Sequence, residues 1–411
     1  MSLEVIDRHI KLSLSGGGFR STFFCLGAYR QLFKLGIHDY ISSINSVSGG
    51  SITAGQILYA LSEKEFSSLA DFDKRVTKPL IRLGQCDLRR TIMRKMIYPT
   101  LPRKRFSQVL PKMLDEHLFH NKRMNELTLN PELSLNATCL NTGRRFRFKQ
   151  NDMGGHLLGV TKDVEDIKVS KAVACSMCFP MMFFPIKVKT KGKTFFEKWW
   201  TDNPTATTKT IPDETYLTDG GVYDNLGSES ILHEKKPFLI FDASSFLEEW
   251  EYYKRPNWFT LSWRPLDAGL EQIVLLRRRL IYNHAQKVGG CLLMLRDPIS
   301  NLIDKPDLYG CKTSETHKLL EYPQMTKEQQ HCLGRLRTDL DGFHDIEIKG
   351  LIWAGEIRAD IAVRLYFPEL LSLSNANVTP QMPDYPETLI TKVLKKGARR
   401  SYLKSLHKRL H

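Results

Sequence analysis

Three short segments of the chain have residue types and spacings that could do chemistry, and the first is a glycine loop. Gly16, Gly17 and Gly18 are consecutive, and Arg20 follows them. Consecutive glycines let neighbouring backbone N–H groups converge on one point, and a helix that begins there adds partial positive charge. The loop therefore suits an anion or a developing oxyanion. It lacks the spacing of the GxGxxG and P-loop phosphate motifs. Taken alone, the loop is more typical of a plain tight turn.

The second segment places Ser48 before Gly49 and Gly50. A serine on a sharp strand-to-helix turn stands clear of the backbone at a helix N-terminus, where small neighbours leave room for a substrate. The segment is close to G-x-S-x-G, but Ser46 replaces the first glycine. A helix cap is the alternative use of such a serine, and Ser46 or Ser51 would serve that purpose equally well.

The third segment is Asp219 followed by Gly220 and Gly221. An aspartate at the carboxyl end of a strand lies where ligands gather in open α/β sheets. An Asx turn is the more common use of Asp-Gly-Gly. Each segment alone is typical of an ordinary turn, whereas the three in this order favour a catalytic site.

Hydrophobic periodicity predicts the elements that must position these segments. The alternation at 10–14 predicts a strand before the glycine loop, and helical spacing follows at 22–35. A second strand at 41–47 precedes Ser48, and a helix begins at about Ser51. Two successive βα units indicate a mostly parallel sheet covered by helices. Further predictions are a helix at 168–178, strands at 216–218 and 238–242, and a hairpin at 134–149.

The composition is that of a folded globular protein with a basic excess. The 411 residues include 60 Lys and Arg against 45 Asp and Glu, a net charge of +15, and 42% are hydrophobic. Wholesale disorder and a disulfide-stapled miniprotein are excluded. The excess charge favours an anionic partner, either nucleic acid or an acidic membrane surface.

The sequence shows no secretory signal and no apolar run long enough to span a membrane. The eight cysteines are therefore expected to be reduced thiols in a cytosol. Cys175 and Cys178 have redox or zinc spacing, but no second pair completes a zinc site, so both are interpreted as core thiols.

Three regions differ from the rest of the chain. Residues 64–131 are rich in Lys and Arg and are interpreted as a helical insertion or lid. Residues 246–337 have helical patterning. Residues 389–411 contain eight basic residues and no acidic ones, and Leu403, Leu406 and Leu410 share one side, as in an interfacial basic amphipathic helix.

Taken together, Gly-Gly-Gly-x-Arg, the Ser48 turn and Asp219-Gly-Gly resemble the patatin-like phospholipases, a family similar to the catalytic domain of cytosolic phospholipase A2. The stretch 172–185, with its small residues and two prolines, adds to the resemblance. It covers most of 9–62, 134–186 and 215–243, and 338–364 more loosely. The family often has Asp at the position of Ser15 and Gly at that of Ser46.

The resemblance implies an α/β fold, with three α/β/α layers around a mostly parallel central sheet. Residues 1–364 would form the acyl hydrolase domain, with 64–131 as insertion or lid and 246–337 as a family-variable helical region. Residues 365–411 would form a basic C-terminal helical tail.

The resemblance also implies a Ser–Asp dyad, with Ser48 as the nucleophile and Asp219 as the base. The amides of Gly16, Gly17 and Gly18, the last two above all, would form the oxyanion hole, and Arg20 would contact the phosphate of a lipid head group. The expected activity is phospholipase A-type cleavage of membrane phospholipid esters, without metal or other cofactor. The acidic residues near 339–347 are interpreted as charges at a helix N-terminus.

The same reasoning places the enzyme in the cytoplasm, bound at the periphery of an anionic membrane through the 64–131 insertion and the C-terminal tail. It does not indicate an oligomeric state. Two alternatives remain. One is an α/β-hydrolase with a Ser-Asp-His triad, for which the candidate histidines are His233, His284, His317 and His344. The other is a nucleic-acid-binding protein with an incidental glycine loop; it is not expected, because no known reading module is found.

Overall fold

The chain folds around a single mixed sheet. The computed structural model describes residues 10–97, 103–180, 182–197, 205–207, 210–247, 258–304, 325–371 and 378–399. Within these ranges the strands are β1 (Ile10–Leu14), β2 (Ile41–Val47), β3 (Glu132–Cys139), β4 (Arg144–Phe148), β5 (Met153–Gly155), β6 (Gly159–Thr161), β7 (Ile186–Lys189), β8 (Phe196–Glu197), β9 (Thr205–Ala206), β10 (Glu214–Asp219), β11 (Phe238–Asp242) and β12 (Gly290–Met294).

Helices connect and cover these strands. In the same ranges the α-helices are α1 (Gly18–Lys34), α2 (Gly49–Glu63), α3 (Leu69–Phe72), α4 (Lys78–Gln85), α5 (Leu88–Ile97), α6 (Arg103–Leu114), α7 (Val169–Met177), α8 (Gly221–Asp224), α9 (Glu229–Leu232), α10 (Trp258–Val288), α11 (Ile299–Asp304), α12 (Lys327–Gly334), α13 (Asp345–Tyr366), α14 (Pro368–Leu371) and α15 (Glu387–Ala398). Short 3-10 turns lie at Ile37–Tyr40 and Met124–Glu126, and π-helical turns at Asp73–Thr77 and Asp115–Phe119.

The centre of the sheet is parallel, in the order β12-β11-β1-β2-β3. Antiparallel strands β4, β5, β6, β8 and β9 continue the sheet beyond β3. β10 pairs antiparallel with the end of β3 and with β7. The predicted α/β class with a mostly parallel central sheet is therefore confirmed, and strands β2 and β11 have the bounds that the sequence predicts.

Both faces of the parallel strands are covered by apolar side chains. In β11, Leu239 and Phe241 belong to the large core that includes α1, α2, α7 and α13. The alternate residues Phe238 and Ile240 belong to a second core, together with side chains of α9 and α10. Because neighbouring strand residues point to opposite faces, helices lie on both sides of the sheet, which is the predicted three-layer arrangement.

Helix α13 packs directly against α1 at two glycines. A Cβ on Gly27 would lie 1.9 Å from the carbonyl oxygen of Ile352, and a Cβ on Gly355 would lie 2.1 Å from that of Phe24. The two backbones are therefore in contact, which a larger residue at either position would prevent. Helix α13 comes far later in the chain than α1, yet it is almost entirely buried.

The structure changes the picture of the regions with unusual composition. Region 246–337 was expected to be helical, but it contains β12, which pairs parallel with β11 as an edge strand of the central sheet. In 64–131 the helices α4 to α6 carry basic residues, yet Phe72 in α3 and Leu80 in α4 are fully buried in the main core. The basic segment is therefore continuous with the main core on its inner side.

In the C-terminal region, α15 is anchored to the domain by Ile390 and Leu394, which are 1% and 0% exposed. Residues 365–399 therefore pack on the domain wherever they are described, rather than forming a separate tail. The predicted amphipathic face of Leu403, Leu406 and Leu410 lies outside the described residues.

Candidate active site

Ser48 occupies a sharp turn between β2 and α2. Its φ of 51° and ψ of −119° lie in a region that non-glycine residues rarely adopt. Such a conformation costs on the order of 1–3 kcal/mol and persists only where the surroundings enforce it. Gly49 and Gly50 are required next to it, because a Cβ on Gly50 would lie 2.4 Å from the Leu14 carbonyl oxygen. The turn directs the Ser48 hydroxyl away from the end of β2, and the residue is 8% exposed.

Asp219 is the last residue of β10, and its carboxylate meets the Ser48 hydroxyl. Ser48 Oγ donates to Asp219 Oδ2 at 2.8 Å, although the two residues are 171 positions apart. The other carboxylate oxygen, Oδ1, accepts the Gly221 N–H at 2.7 Å. The pairing of both β2 and β10 with β3 brings the two strand ends together.

Burial dominates the electrostatics of Asp219. The residue is 3% exposed, and this burial raises the pKa of its carboxyl from 3.8 to about 6, although the hydrogen bonds from Gly221 and Ser48 oppose the rise. A carboxylate with a pKa near 6 is a stronger base than a solvated one and is still ionised at neutral pH. Asp219 can therefore take the proton of the Ser48 hydroxyl as this hydroxyl attacks an ester.

The glycine loop lies beside Ser48. A Cβ on Gly16 would lie 3.2 Å from the Ser48 Cβ. Gly17 and Gly18 have φ values of 138° and 56°, and the Gly18 Cα marks the start of α1. The Gly16 N–H donates to the Asn225 carbonyl at 2.9 Å, whereas the amides of Gly17 and Gly18 meet no acceptor among the described residues. The Gly16 amide is therefore already bonded, whereas the amides of Gly17 and Gly18 are unpaired within the described residues.

The structure contradicts the expected phosphate-binding role of Arg20. The residue is 2% exposed. Its guanidinium donates to the backbone carbonyls of Ala243 at 2.6 Å, Leu336 at 2.7 Å and Gly334 at 3.2 Å. Burial lowers the pKa of Arg20 to about 10. The buried side chain thus joins the start of α1 to two later segments, and its donors are directed at their carbonyls rather than at solvent.

Two residues that the sequence did not single out hold the site together. Ser176 accepts the Ser48 N–H through its Oγ at 3.0 Å. Asn225 lies against the glycine loop, since its Oδ1 would be 2.1 Å from a Cβ on Gly16, and its amide donates to Ser244 Oγ at 2.7 Å. The only sequence signal for either was position: Ser176 lies within the 172–185 stretch, and Asn225 follows Asp219 by six residues.

Two of the four candidate histidines make contacts away from the Ser48–Asp219 pair. His284 bonds the Glu234 carbonyl at 3.0 Å, and His344 caps α13 through its Nδ1. His233 follows α9, and His317 lies outside the described residues. Cys175 and Cys178 are buried free thiols, as predicted, and burial raises the pKa of both.

The acidic cluster near α13 is mostly structural. Asp345 and Glu347 lie in the first turn of α13, as predicted, whereas Asp341 pairs with Arg337. Across the described ranges, no three His, Cys, Asp or Glu side chains are grouped as metal ligands would be. No helix among these residues combines the length and apolarity needed to cross a bilayer.

A family model described as patatin-like phospholipase matches residues 12–230, which is more than half of the 411-residue chain. The match spans Ser48, Asp219 and the glycine loop. No curated protein matches the chain.

Solved structures similar to the chain include human GIVD cytosolic phospholipase A2, with 12% identity and a TM-score of 0.46 over 96% of this chain and 61% of that one. VipD from Legionella pneumophila is also similar, with 11% identity and a TM-score of 0.31 over 93% of each chain. This chain therefore spans less than two thirds of the human phospholipase chain, and the family assignment rests on the family model.

Proposed function

The chain belongs to the patatin-like phospholipase family, and from this premise we propose that it cleaves the acyl esters of membrane phospholipids by a Ser48–Asp219 dyad. Family membership itself indicates a lipid acyl hydrolase in general terms. The observation that carries the finer proposal is the 2.8 Å hydrogen bond from Ser48 Oγ to Asp219 Oδ2, made by a serine in a strained turn.

The proposed reaction has two halves. Ser48 Oγ attacks the ester carbonyl carbon while its proton passes to Asp219 Oδ2, and the negative charge that develops on the carbonyl oxygen is bound by the amides of Gly17 and Gly18. Asp219 then gives the proton to the departing alcohol oxygen, which leaves the acyl group on Ser48. A water molecule then attacks the acyl carbonyl carbon while the same carboxylate takes its proton, and this proton passes to Ser48 Oγ as the fatty acid leaves.

Labelling with a fluorophosphonate probe in lipid vesicles tests this proposal. We expect the wild type to be labelled, and Ser48→Ala and Asp219→Ala to lose labelling, while each single His→Ala variant keeps it. Absence of Ser48-dependent labelling would overturn the enzyme proposal. A histidine whose removal abolishes labelling would instead support the Ser-Asp-His triad.

We further propose that the enzyme docks on an anionic membrane from the cytoplasm, partly through an exposed basic row in the 64–131 segment. Lys74, Lys78 and Arg82 recur every fourth residue from the π-helical turn into α4, and all three are exposed. Residues at this spacing share one side of a helix. Each basic residue near an anionic leaflet contributes about 1 kcal/mol of binding.

Vesicle flotation distinguishes membrane binding through this basic row from membrane binding through net charge alone. A triple Glu variant of Lys74, Lys78 and Arg82 should float less well with anionic vesicles than the wild type. The matched control exchanges the exposed Lys162, Lys235 and Lys236, which changes the net charge equally. Equal losses in both variants would contradict docking through the row, and tight duplex DNA binding without lipid preference would contradict membrane docking.

A further inference from the structure

One buried hydroxyl contacts the segment of the proposed nucleophile directly. Ser176, in the last turn of α7, is fully buried. Its Oγ lies 2.6 Å from the Asn136 carbonyl oxygen, 3.0 Å from the Ser48 nitrogen and 2.9 Å from Ser51 Oγ. A hydroxyl has one proton, and the carbonyl of Asn136 can only accept, so that proton goes to Asn136. The lone pairs of Ser176 Oγ are thereby left for the Ser48 N–H and for Ser51.

The backbone of the same residue holds the segment of the proposed base. The Ser176 carbonyl accepts the Gly220 N–H at 3.0 Å, and the Cys178 carbonyl accepts the Asp219 N–H at 3.1 Å. Ser176 therefore bonds to Ser48 through its side chain and to the residue after Asp219 through its main chain. Among the described residues, no other side chain bonds to the Ser48 backbone nitrogen.

The bond to Ser48 acts where the backbone is strained. The Ser48 N–H belongs to the peptide that precedes the positive φ, so its direction changes with any relaxation of that angle. Removal of the Ser176 hydroxyl would leave this N–H and the Asn136 carbonyl without their buried partner. The unpaired N–H favours relaxation of the strained Ser48 turn, and such a relaxation would shift the hydroxyl relative to Asp219.

We propose that Ser176 is a positioning residue that holds the Ser48 turn in register with Asp219. It does not touch the Asp219 carboxylate, so it acts on the proton transfer only through the position of Ser48. This inference rests on the proposed dyad. A misplacement of about 1 Å can lower a rate about 100-fold, which sets the scale of the expected effect.

The test is the time course of fluorophosphonate labelling of the full chain over a range of probe concentrations and pH. Ser176→Ala should lower the maximal rate constant about 10- to 100-fold. The final amplitude and the half-saturating probe concentration should stay at their wild-type values. The midpoint of the pH profile should move upward, because the Ser48 hydrogen bond that lowers the pKa of Asp219 is weakened. Ser176→Cys, which keeps a weak acceptor, should regain part of the rate.

Ser51→Ala is the matched control, because it removes a hydroxyl that is equally buried and bonded to Ser176 but does not contact the dyad. Its rate should stay close to that of the wild type. A merely structural role would lower the thermal stability or the amplitude of both variants alike. A wild-type rate in Ser176→Ala, or an equal loss in Ser51→Ala, overturns the inference.

If Ser176→Ala does not fold, Ser176→Cys carries the test: a reduced rate supports the inference, and a wild-type rate overturns it. Failure of the proposed function has a different signature. A wild type that is not labelled, or Ser48→Ala labelled as fast as the wild type, removes the dyad and the inference with it. Labelling that depends on Ser48 but not on Ser176 removes the inference alone.

Discussion

The substitution Asp219→Asn should abolish hydrolysis and stabilise the protein at alkaline pH. The Asp219 carboxylate is 3% exposed, and burial raises its pKa from 3.8 to about 6 against the opposing hydrogen bonds of Gly221 and Ser48. In the unfolded chain the same carboxyl ionises near its ordinary pKa. Ionisation of Asp219 therefore destabilises the folded protein. Asparagine carries no charge and avoids this destabilisation.

The magnitude follows from the linkage between pKa and stability. A group whose pKa is raised by folding favours the folded state fully below the unfolded pKa of 3.8, and that contribution is lost as the pH rises through about 6. One pKa unit corresponds to about 1.4 kcal/mol. Ionised Asp219 therefore lowers the free energy of unfolding of the wild type by about 3 kcal/mol at pH of about 8. Asparagine can still accept the Gly221 N–H and can donate to Ser48 Oγ. For a chain of this size the full gain would raise Tm by roughly 3–6 °C.

Thermal unfolding of both proteins across a pH series measures this gain. The difference in Tm should be greatest on the alkaline side and should shrink as the pH falls below about 6. Asp242→Asn is the control, because Asp242 is also buried but pairs with Arg278 at 2.6 Å. Burial opposes its ionisation, yet Arg278 and Ser244 together lower the pKa of Asp242, so its replacement should destabilise the protein at alkaline pH. A Tm of Asp219→Asn below the wild type on the alkaline side, or a gain independent of pH, would refute the reasoning.

Three further outcomes are expected. The labelling rate of Ser48 should rise with pH through about 6 and then level off, because Asp219 must be ionised to accept the proton; a profile without an inflection near that pH would contradict its role as base. Gly17→Ala should abolish labelling, because its Cβ would lie 2.7 Å from a backbone carbonyl oxygen. Gly143→Ala, also at positive φ but with no atom within 4 Å, should label normally. Equal labelling of the two variants would contradict the proposed role of the glycine loop as oxyanion hole. Arg20→Lys should lower the free energy of unfolding by about 1–3 kcal/mol, because hydrogen bonds to backbone carbonyls are lost. The preference for phosphate-bearing over neutral esters should not change. A selective loss of activity on phosphate-bearing esters would support the head-group role of Arg20 after all.

The sequence predicts the elements around the proposed dyad well, because β1 and β2 are followed by glycine-rich turns and β11 is a short apolar run. It does not predict that β10 runs antiparallel to β3, which is the pairing that brings Asp219 to Ser48. That contact joins residues 171 positions apart, and no local pattern encodes it.

Two errors have physical causes. The run Gly290–Met294 is five residues long and continuously apolar, and periodicity cannot distinguish such a buried strand from a helix. The family resemblance implied a phosphate-binding role for Arg20, but its partners are the carbonyls of Ala243, Gly334 and Leu336. Only the tertiary structure shows that these carbonyls converge on the guanidinium.

The contact between α1 and α13 has a consequence for the order in which the protein is made. A nascent chain that has emerged through residue 232 already carries Ser48, Asp219 and the glycine loop. It lacks Asp339, whose carbonyl accepts the Phe19 N–H at 3.0 Å, and it lacks α13, against which α1 is packed. Catalytic competence should therefore arise late in translation, and a chain ending at residue 232 should remain unlabelled by the fluorophosphonate even though it contains both residues of the dyad.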